Sequence, residues 1–239
     1  MRNKRYGLGL SLTAATTLAA LGVGSQAHAQ IITQNVSLGQ TTTDFGPGLG
    51  TPAQPITFNK FNTALGTLNE VDVTWSVSGA VSGTVKNTSA SAADFSVTTN
   101  TNIKLSEDLA ATSALVPTPT LTASQNYTGL GAGATAAFGP FSPATSSGPI
   151  VYTDAPHLAF FTIPGPTGQV FVSTLSGTTI LGGGGNITTT LTTTAGGTAT
   201  IVYRYTVPSV GTPEPGSVAL LVSAGIGGMG VFLRRRRSK

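Results

Sequence analysis

Apolar and polar residues alternate along most of this chain. In "EVDVTWSVSG", Val71, Val73, Trp75 and Val77 share one face, while Glu70, Asp72, Thr74 and Ser76 share the other. A side-chain period of two makes this a half-buried strand with an acidic outer face. "AVSGTVK" keeps Val81 and Val85 in phase and reads as its hairpin partner. Phe95 with Val97, and Ile103 with Leu105, mark further strands. "HLAFFTI" and "QVFVSTL" read as two strands separated by the turn "PGPTG". Near the end, Ala199, Ile201, Tyr203, Tyr205 and Val207 face one way, and Thr200, Val202, Arg204 and Thr206 the other. The β-branched threonines of "NITTTLTTT" favour extended chain. The one short helix candidate is "SEDLAATSAL", with Ser106 as its cap and a loop as the alternative. The pattern predicts an all-β fold, an antiparallel β-sandwich of about eight to eleven strands. Gly129 to Pro149 and Gly182 to Gly185 read as glycine-rich loops.

The two ends depart from this pattern. Arg2, Lys4 and Arg5 precede an apolar stretch that closes on "AHA", Ala27 to Ala29. That order predicts a cleaved export signal over residues 1–29, with Gln30 as the first mature residue. At the other end Pro213, Glu214 and Pro215 precede an uncharged run, Ser217 to Leu233, and then Arg234, Arg235, Arg236 and Arg237. A helix over residues 217–233 would span about 25 Å, the short end of what crosses a bilayer, with the arginines holding its end on the cytoplasmic side. The sequence thus divides into a signal peptide (1–29), an extracellular β domain (30–211) and a tail (212–239) carrying a single transmembrane helix.

Charge follows the same division. The formal net charge is +4. Between Gln30 and Thr212, however, only Lys60, Lys86, Lys104 and Arg204 oppose Asp44, Glu70, Asp72, Asp94, Glu107, Asp108 and Asp154. The domain is weakly acidic, which argues against nucleic acid as a partner. No cysteine is present, so no disulfide supports it.

Chemistry-bearing residues are sparse. After removal of the signal one histidine remains, His157, preceded by Asp154 and Pro156. With no cysteine and one histidine, the sequence predicts neither a zinc site nor another cofactor. A Ser-His-Asp arrangement would need His157 as base, and no G-x-S-x-G elbow marks a nucleophile. Glu70 with Asp72, and Glu107 with Asp108, are the acid pairs a glycoside hydrolase would draw on. "GLGAG" and "GGGGN" lack the flanking residues of nucleotide loops. No catalytic residue is therefore assigned.

Two resemblances add to this. The tail, with Pro213-Glu214-Pro215, the apolar run and Arg234 to Arg237, resembles the PEP-CTERM sorting signal of Gram-negative bacteria. That resemblance implies recognition by an exosortase-type membrane peptidase, passage through the inner membrane, tail removal, and delivery to the cell surface or extracellular matrix. In the body, Phe61-Asn62 and Ala64-Leu65-Gly66-Thr67-Leu68, followed by the valine-rich strand and Asn87, resemble the opening of the choice-of-anchor E domain. "TATIVYRYTV" resembles its closing strand. This likeness implies architecture and location but no chemistry. The expectation is a non-enzymatic exported surface or matrix protein that contributes to biofilm or exopolysaccharide, with exopolysaccharide as a further partner. A carbohydrate-binding module with an aromatic cleft and a matrix polysaccharide hydrolase are the alternatives.

Overall fold

The computed structural model describes residues 28–162 and 165–208. Its strands are β1 (Ala29–Thr42), β2 (Gln54–Asn59), β3 (Thr67–Asn87), β4 (Ala93–Ser106), β5 (Thr120–Leu130), β6 (Thr135–Phe141), β7 (Ala144–Tyr152), β8 (Thr167–Gly182) and β9 (Ile187–Thr206). One helix, α1 (Ala155–Thr162), joins β7 to β8. One sheet has the order β1-β9-β3-β6, with β7 also paired to β3; the other has the order β2-β8-β4-β5. Every pairing is antiparallel. The all-β, two-sheet expectation is met.

β3 organises the molecule. Its 21 residues pair with β9 from Thr67↔Thr206 to Asn87↔Ile187. Val71, Val73, Trp75 and Val77 point inward to meet Ile103, Leu105, Val170 and Val172 of the opposite sheet in one apolar cluster. The hairpin expected between "EVDVTWSVSG" and "AVSGTVK" is absent: Gly79 stays extended, both segments belong to the single strand β3, and each pairs with β9 instead of with the other. Val81 and Val85 therefore keep the same inward phase and continue into a second cluster with Phe95, Val97, Tyr127 and Phe138. Trp75 is fully buried, and its indole N–H donates to the Ile103 carbonyl across the core at 3.3 Å. This satisfies the one polar atom that its burial would otherwise strand.

Both open flanks of the sandwich are closed by the same device. On one flank the Gln34 carboxamide of β1 accepts from the Asn59 N–H (3.0 Å) and donates to the Asn59 carbonyl (2.7 Å) of β2. The Tyr203 hydroxyl donates to that same carbonyl at 2.7 Å. On the other flank Gln125 of β5 accepts from the Gly139 N–H (3.1 Å) and donates to the Ala137 carbonyl (3.2 Å) of β6. Tyr127 adds its hydroxyl to Ala137 at 2.8 Å. A carboxamide offers a donor and an acceptor in one plane, as a peptide unit does, so each glutamine stands in for a strand between two edges.

Several expectations need correction. Gly129 to Pro149 is not a long loop: it holds β6 and most of β7, which lie end to end along β3. Pro140 and Pro149 removed the strand signal there, yet both sit on the sheet's outer edge, where a missing N–H costs no ladder bond. "HLAFFTI" is not a strand, since His157 to Thr162 belong to α1. Phe160 and Phe161 both reach Phe58, with ring centroids 5.7 and 5.5 Å away. Adjacent residues lie about 100° apart around a helix, whereas a strand would send them to opposite faces. Ser106 to Leu115 is not a helix. Ser106 ends β4, and the chain turns back so that the Leu115 N–H donates to the Leu105 carbonyl. Asp108 holds that turn by accepting from the Thr112 N–H and hydroxyl, a local competitor of helix.

The largest correction concerns the membrane. No helix among the described residues is long and apolar enough to cross one. α1 has eight residues, about 12 Å of helix against a hydrocarbon core of about 30 Å. The transmembrane helix expected over 217–233 lies outside the described residues, as do Pro213, Glu214, Pro215 and Arg234, Arg235, Arg236 and Arg237. The exosortase-type partner, the inner-membrane intermediate, the exopolysaccharide partner and the surface or matrix location all rested on that helix. With no membrane-crossing helix among the described residues, they are withdrawn.

Candidate functional site

The acids and histidine singled out in the sequence gather into two places. The first lies where α1 meets the turn after β4. Asp154 stands immediately before the helix and Pro156 in its first turn, the arrangement that starts a helix without wasting an N–H. One Asp154 oxygen lies 2.7 Å from His157 Nδ1 and accepts the His157 backbone N–H at 3.5 Å. The other ring nitrogen, Nε2, faces Glu107 Oε1 at 3.6 Å. Tyr152 stacks on the imidazole with centroids 4.2 Å apart and donates its hydroxyl to the Leu115 carbonyl. Burial pushes the Glu107 carboxyl above its ordinary value, while nearby His157 opposes the rise. The His157 hydrogen bond holds Asp154 below its ordinary value, and burial raises the Tyr152 phenol.

This cluster brings together three residues that the sequence separates by up to fifty positions, but its geometry is not that of a reacting centre. Nε2 faces a carboxylate where a triad would place a hydroxyl. The two carboxylates flank opposite nitrogens of one ring, so they do not converge on a point where an ion could sit. Among the described residues no group of three His, Cys, Asp or Glu side chains could hold a metal ion.

The second place is the outer face of the first sheet. Arg204 on β9 donates through Nε to Glu70 at 2.9 Å and through its terminal nitrogen to Asp72 at 2.9 Å. The register that sets Glu70 opposite Arg204 and Asp72 opposite Val202 explains this. Asp72 is only 8% exposed, and its second oxygen has no hydrogen-bond partner. The acidic outer face of β3 is therefore clipped by a cation from the neighbouring strand. The Asp72 hydrogen bond raises Arg204 above its ordinary value.

The remaining carboxylates shape turns. Asp44 accepts the Ser176 N–H at 2.6 Å, and Asp94 accepts the Gly129 N–H at 2.5 Å. Asp108 is held below its ordinary value by the Thr112 hydroxyl. The glycine stretches connect the two sheets: Gly129 and Gly133 turn from β5 to β6, and Gly183 to Gly185 form a 3₁₀ turn between β8 and β9. Tyr127, Tyr152 and Tyr203 are buried and Tyr205 is partly so, which leaves them unable to line an exposed aromatic cleft. Of the expected processing residues, Ala27 lies outside the described residues, whereas Ala29 and Gln30 open β1, paired with Thr206 and Tyr205.

A shallow trough of about 620 Å³ crosses β1, β9, β3 and β7 on the outer face of the first sheet. Gly196 and Gly197 form its floor, with Gln40, Ser76, Ser78 and Thr198 around them. None of these residues carries a charge, and no acid of either cluster lines it.

No family model matches the chain, and no curated protein matches it. Among solved structures it is similar to the infectious bursal disease virus particle at 14% identity, over 81% of this chain and 46% of that one, with a TM-score of 0.19. The Gx strain of that virus matches at 14% identity over 84% and 50%, with a TM-score of 0.17. Its VP2 subviral particle matches at 13% identity over 87% and 49%, also with a TM-score of 0.17. The chain spans about half the length of these structures, and likeness at such scores carries no argument about function.

Proposed function

We propose that this chain is a non-catalytic, β-rich structural protein that acts through the faces of its sandwich. One observation carries the reading: of the seven carboxylates among the described residues, six bind Arg204 or hold a turn or helix start, and the seventh, Glu107, is partly buried against His157 with its Oε1 lacking a hydrogen-bond partner. A hydrolytic centre needs a carboxylate or imidazole aimed at an accessible reacting atom, and here those groups are spent on the scaffold. The resemblance of residues 31–207 to an anchor-type domain agrees with this, because it implies architecture without chemistry. The two stretches behind that resemblance meet in space: the Phe61 ring packs 5.0 Å from Tyr205 and 5.9 Å from Tyr203.

The test is turnover. The purified chain is incubated with chromogenic ester, glycoside and peptide substrates beside H157N and E70Q/D72N variants. No turnover above background is expected from any of the three. Turnover by the unmodified chain that either variant abolishes would overturn the proposal.

A further inference from the structure

The His157 ring stands between two carboxylates, and no neutral form of it suits both. Asp154 Oδ2 lies 2.7 Å from Nδ1, and Glu107 Oε1 lies 3.6 Å from Nε2. A neutral imidazole carries one N–H and one bare lone pair. With the proton on Nδ1, Asp154 receives a hydrogen bond and the Nε2 lone pair faces a carboxylate. With the proton on Nε2, the conflict moves to Asp154. Both neighbours are served only by one proton more, held on the second ring nitrogen or on Glu107 itself. Either placement puts a hydrogen between Nε2 and the Glu107 oxygen.

Nothing else around the ring supplies that hydrogen. Glu107 Oε1 is shut off from solvent and accepts no hydrogen bond. An ionised oxygen so placed is costly, and burial raises the Glu107 carboxyl, the direction that keeps the proton. Tyr152 of β7 stacks on the imidazole and gives its hydroxyl to the Leu115 carbonyl. In the turn after β4, Asp108 accepts from Thr112, and Lys104 donates to the Ala111 carbonyl. Lys60 meets α1 at the Phe160 ring, 5.8 Å from its centroid.

The two elements that this contact joins are held with unequal firmness. α1 is anchored by Phe161, fully buried against Phe58 and Tyr203. The turn has no such anchor, since no residue from 107 to 114 is buried. Its other hydrogen bonds run within the turn or back to β4, as from the Ala111 N–H and the Ser106 hydroxyl to the Asp108 carbonyl. Among the described residues, Glu107 with His157 is the one polar tie from 107–114 to α1. Segments with so few buried contacts open at the lowest cost.

We propose that Glu107 and His157 form a proton-operated clasp, which holds the turn after β4 against α1 in acid and releases it in mild alkali. The sign follows from linkage. The closed form binds one proton more than the open form, so rising pH favours opening, by up to about tenfold per pH unit while that proton is lost. An imidazole ordinarily titrates near about 6.5. Values near pH 5.5 and near pH 8.5 therefore bracket the release.

The experiment is amide hydrogen exchange of the full chain at those two values, with rates corrected for the intrinsic pH dependence of exchange. The Leu115 amide donates to the Leu105 carbonyl at the base of the turn and reports its opening. Amides of β3 in the ladder to β9 report the fold as a whole. In the wild type, protection at Leu115 should fall at least fivefold at the higher pH, with β3 unchanged. Glu107→Gln offers Nε2 an amide N–H, so a neutral ring protonated on Nδ1 satisfies both neighbours and the fall should vanish. His157→Gln removes the titrating ring and should also leave protection equal at the two values. The His157 and Glu107 side chains are 34% and 27% exposed, so neither substitution disturbs the core. Wild-type protection that does not change with pH, a fall shared by β3, or a fall that persists in either variant would overturn the proposal.

Discussion

Asn87 offers a sharp test of how buried polar groups hold this sandwich together. It ends β3, is 0% exposed, and spends its whole carboxamide on the turn into β4. Nδ2 donates to the Ser91 and Leu130 carbonyls at 2.8 and 2.7 Å. Oδ1 accepts from the Ser89 N–H at 2.9 Å and the Ser89 hydroxyl at 2.7 Å. Asn87→Ala removes all four bonds. At about 1 kcal/mol each, with partners left unpaired and some overlap among bonds that share a group, the cost is about 3–4 kcal/mol. For a domain of this size that lowers the melting temperature by about 8–12 °C. Asn87→Asp separates donor from acceptor: the Ser89 contacts survive, while a carboxylate oxygen now faces two carbonyls. Burial and those carbonyls would raise the folded-state pKa of this aspartate above its unfolded value of about 3.9. A raised folded pKa contributes stability below the unfolded value, and that contribution is lost as pH rises through the folded value. Asn87→Asp should therefore approach wild type near pH 3.5 and fall furthest behind near pH 7. Urea unfolding at both values measures this. A cost for Asn87→Ala below about 1 kcal/mol, or a pH-independent deficit for Asn87→Asp, would refute the reasoning.

Other perturbations have equally direct outcomes. Because burial raises the Glu107 carboxyl, its ionised form works against folding, and the stability it contributes in acid is lost as pH rises through its folded value. Glu107→Gln should thus raise the urea midpoint at pH 7 and do little near pH 4. Asp154 has the opposite sign: its value is depressed by His157, so Asp154→Asn should cost stability at neutral pH and nothing once the acid is protonated. Gln34→Ala and Gln125→Ala should each cost about 1–2 kcal/mol, and because they close opposite flanks their effects should add in the double variant. Gly197→Ala places a methyl 2.6 Å from the Trp75 ring and should cost about 1–3 kcal/mol by overpacking, read from the same unfolding curves.

Period-two alternation was enough to give β3, β4, β8 and β9 their inward and outward faces, because a strand's side chains must alternate whatever lies beyond it. That placed Trp75 in the core and Thr200, Val202 and Arg204 on the outside before any partner strand was known. Composition likewise excluded disulfides and made a zinc site a poor expectation. What the sequence could not hold was anything set by a neighbour distant along the chain. Arg204 reaches Glu70 and Asp72 only because β9 lies beside β3 in one register. His157 meets Glu107 only because a helix crosses from one sheet to the other beside the turn after β4. The Asp154 and Pro156 signal for that helix was present, but the apolar run behind it reads equally well as strand. β6 and β7 carried glycines and prolines that argue against strand, and an edge position on β3 tolerated them. Local alternation is written into each segment; the choice of neighbour, and with it every cluster and face, is a property of the folded whole.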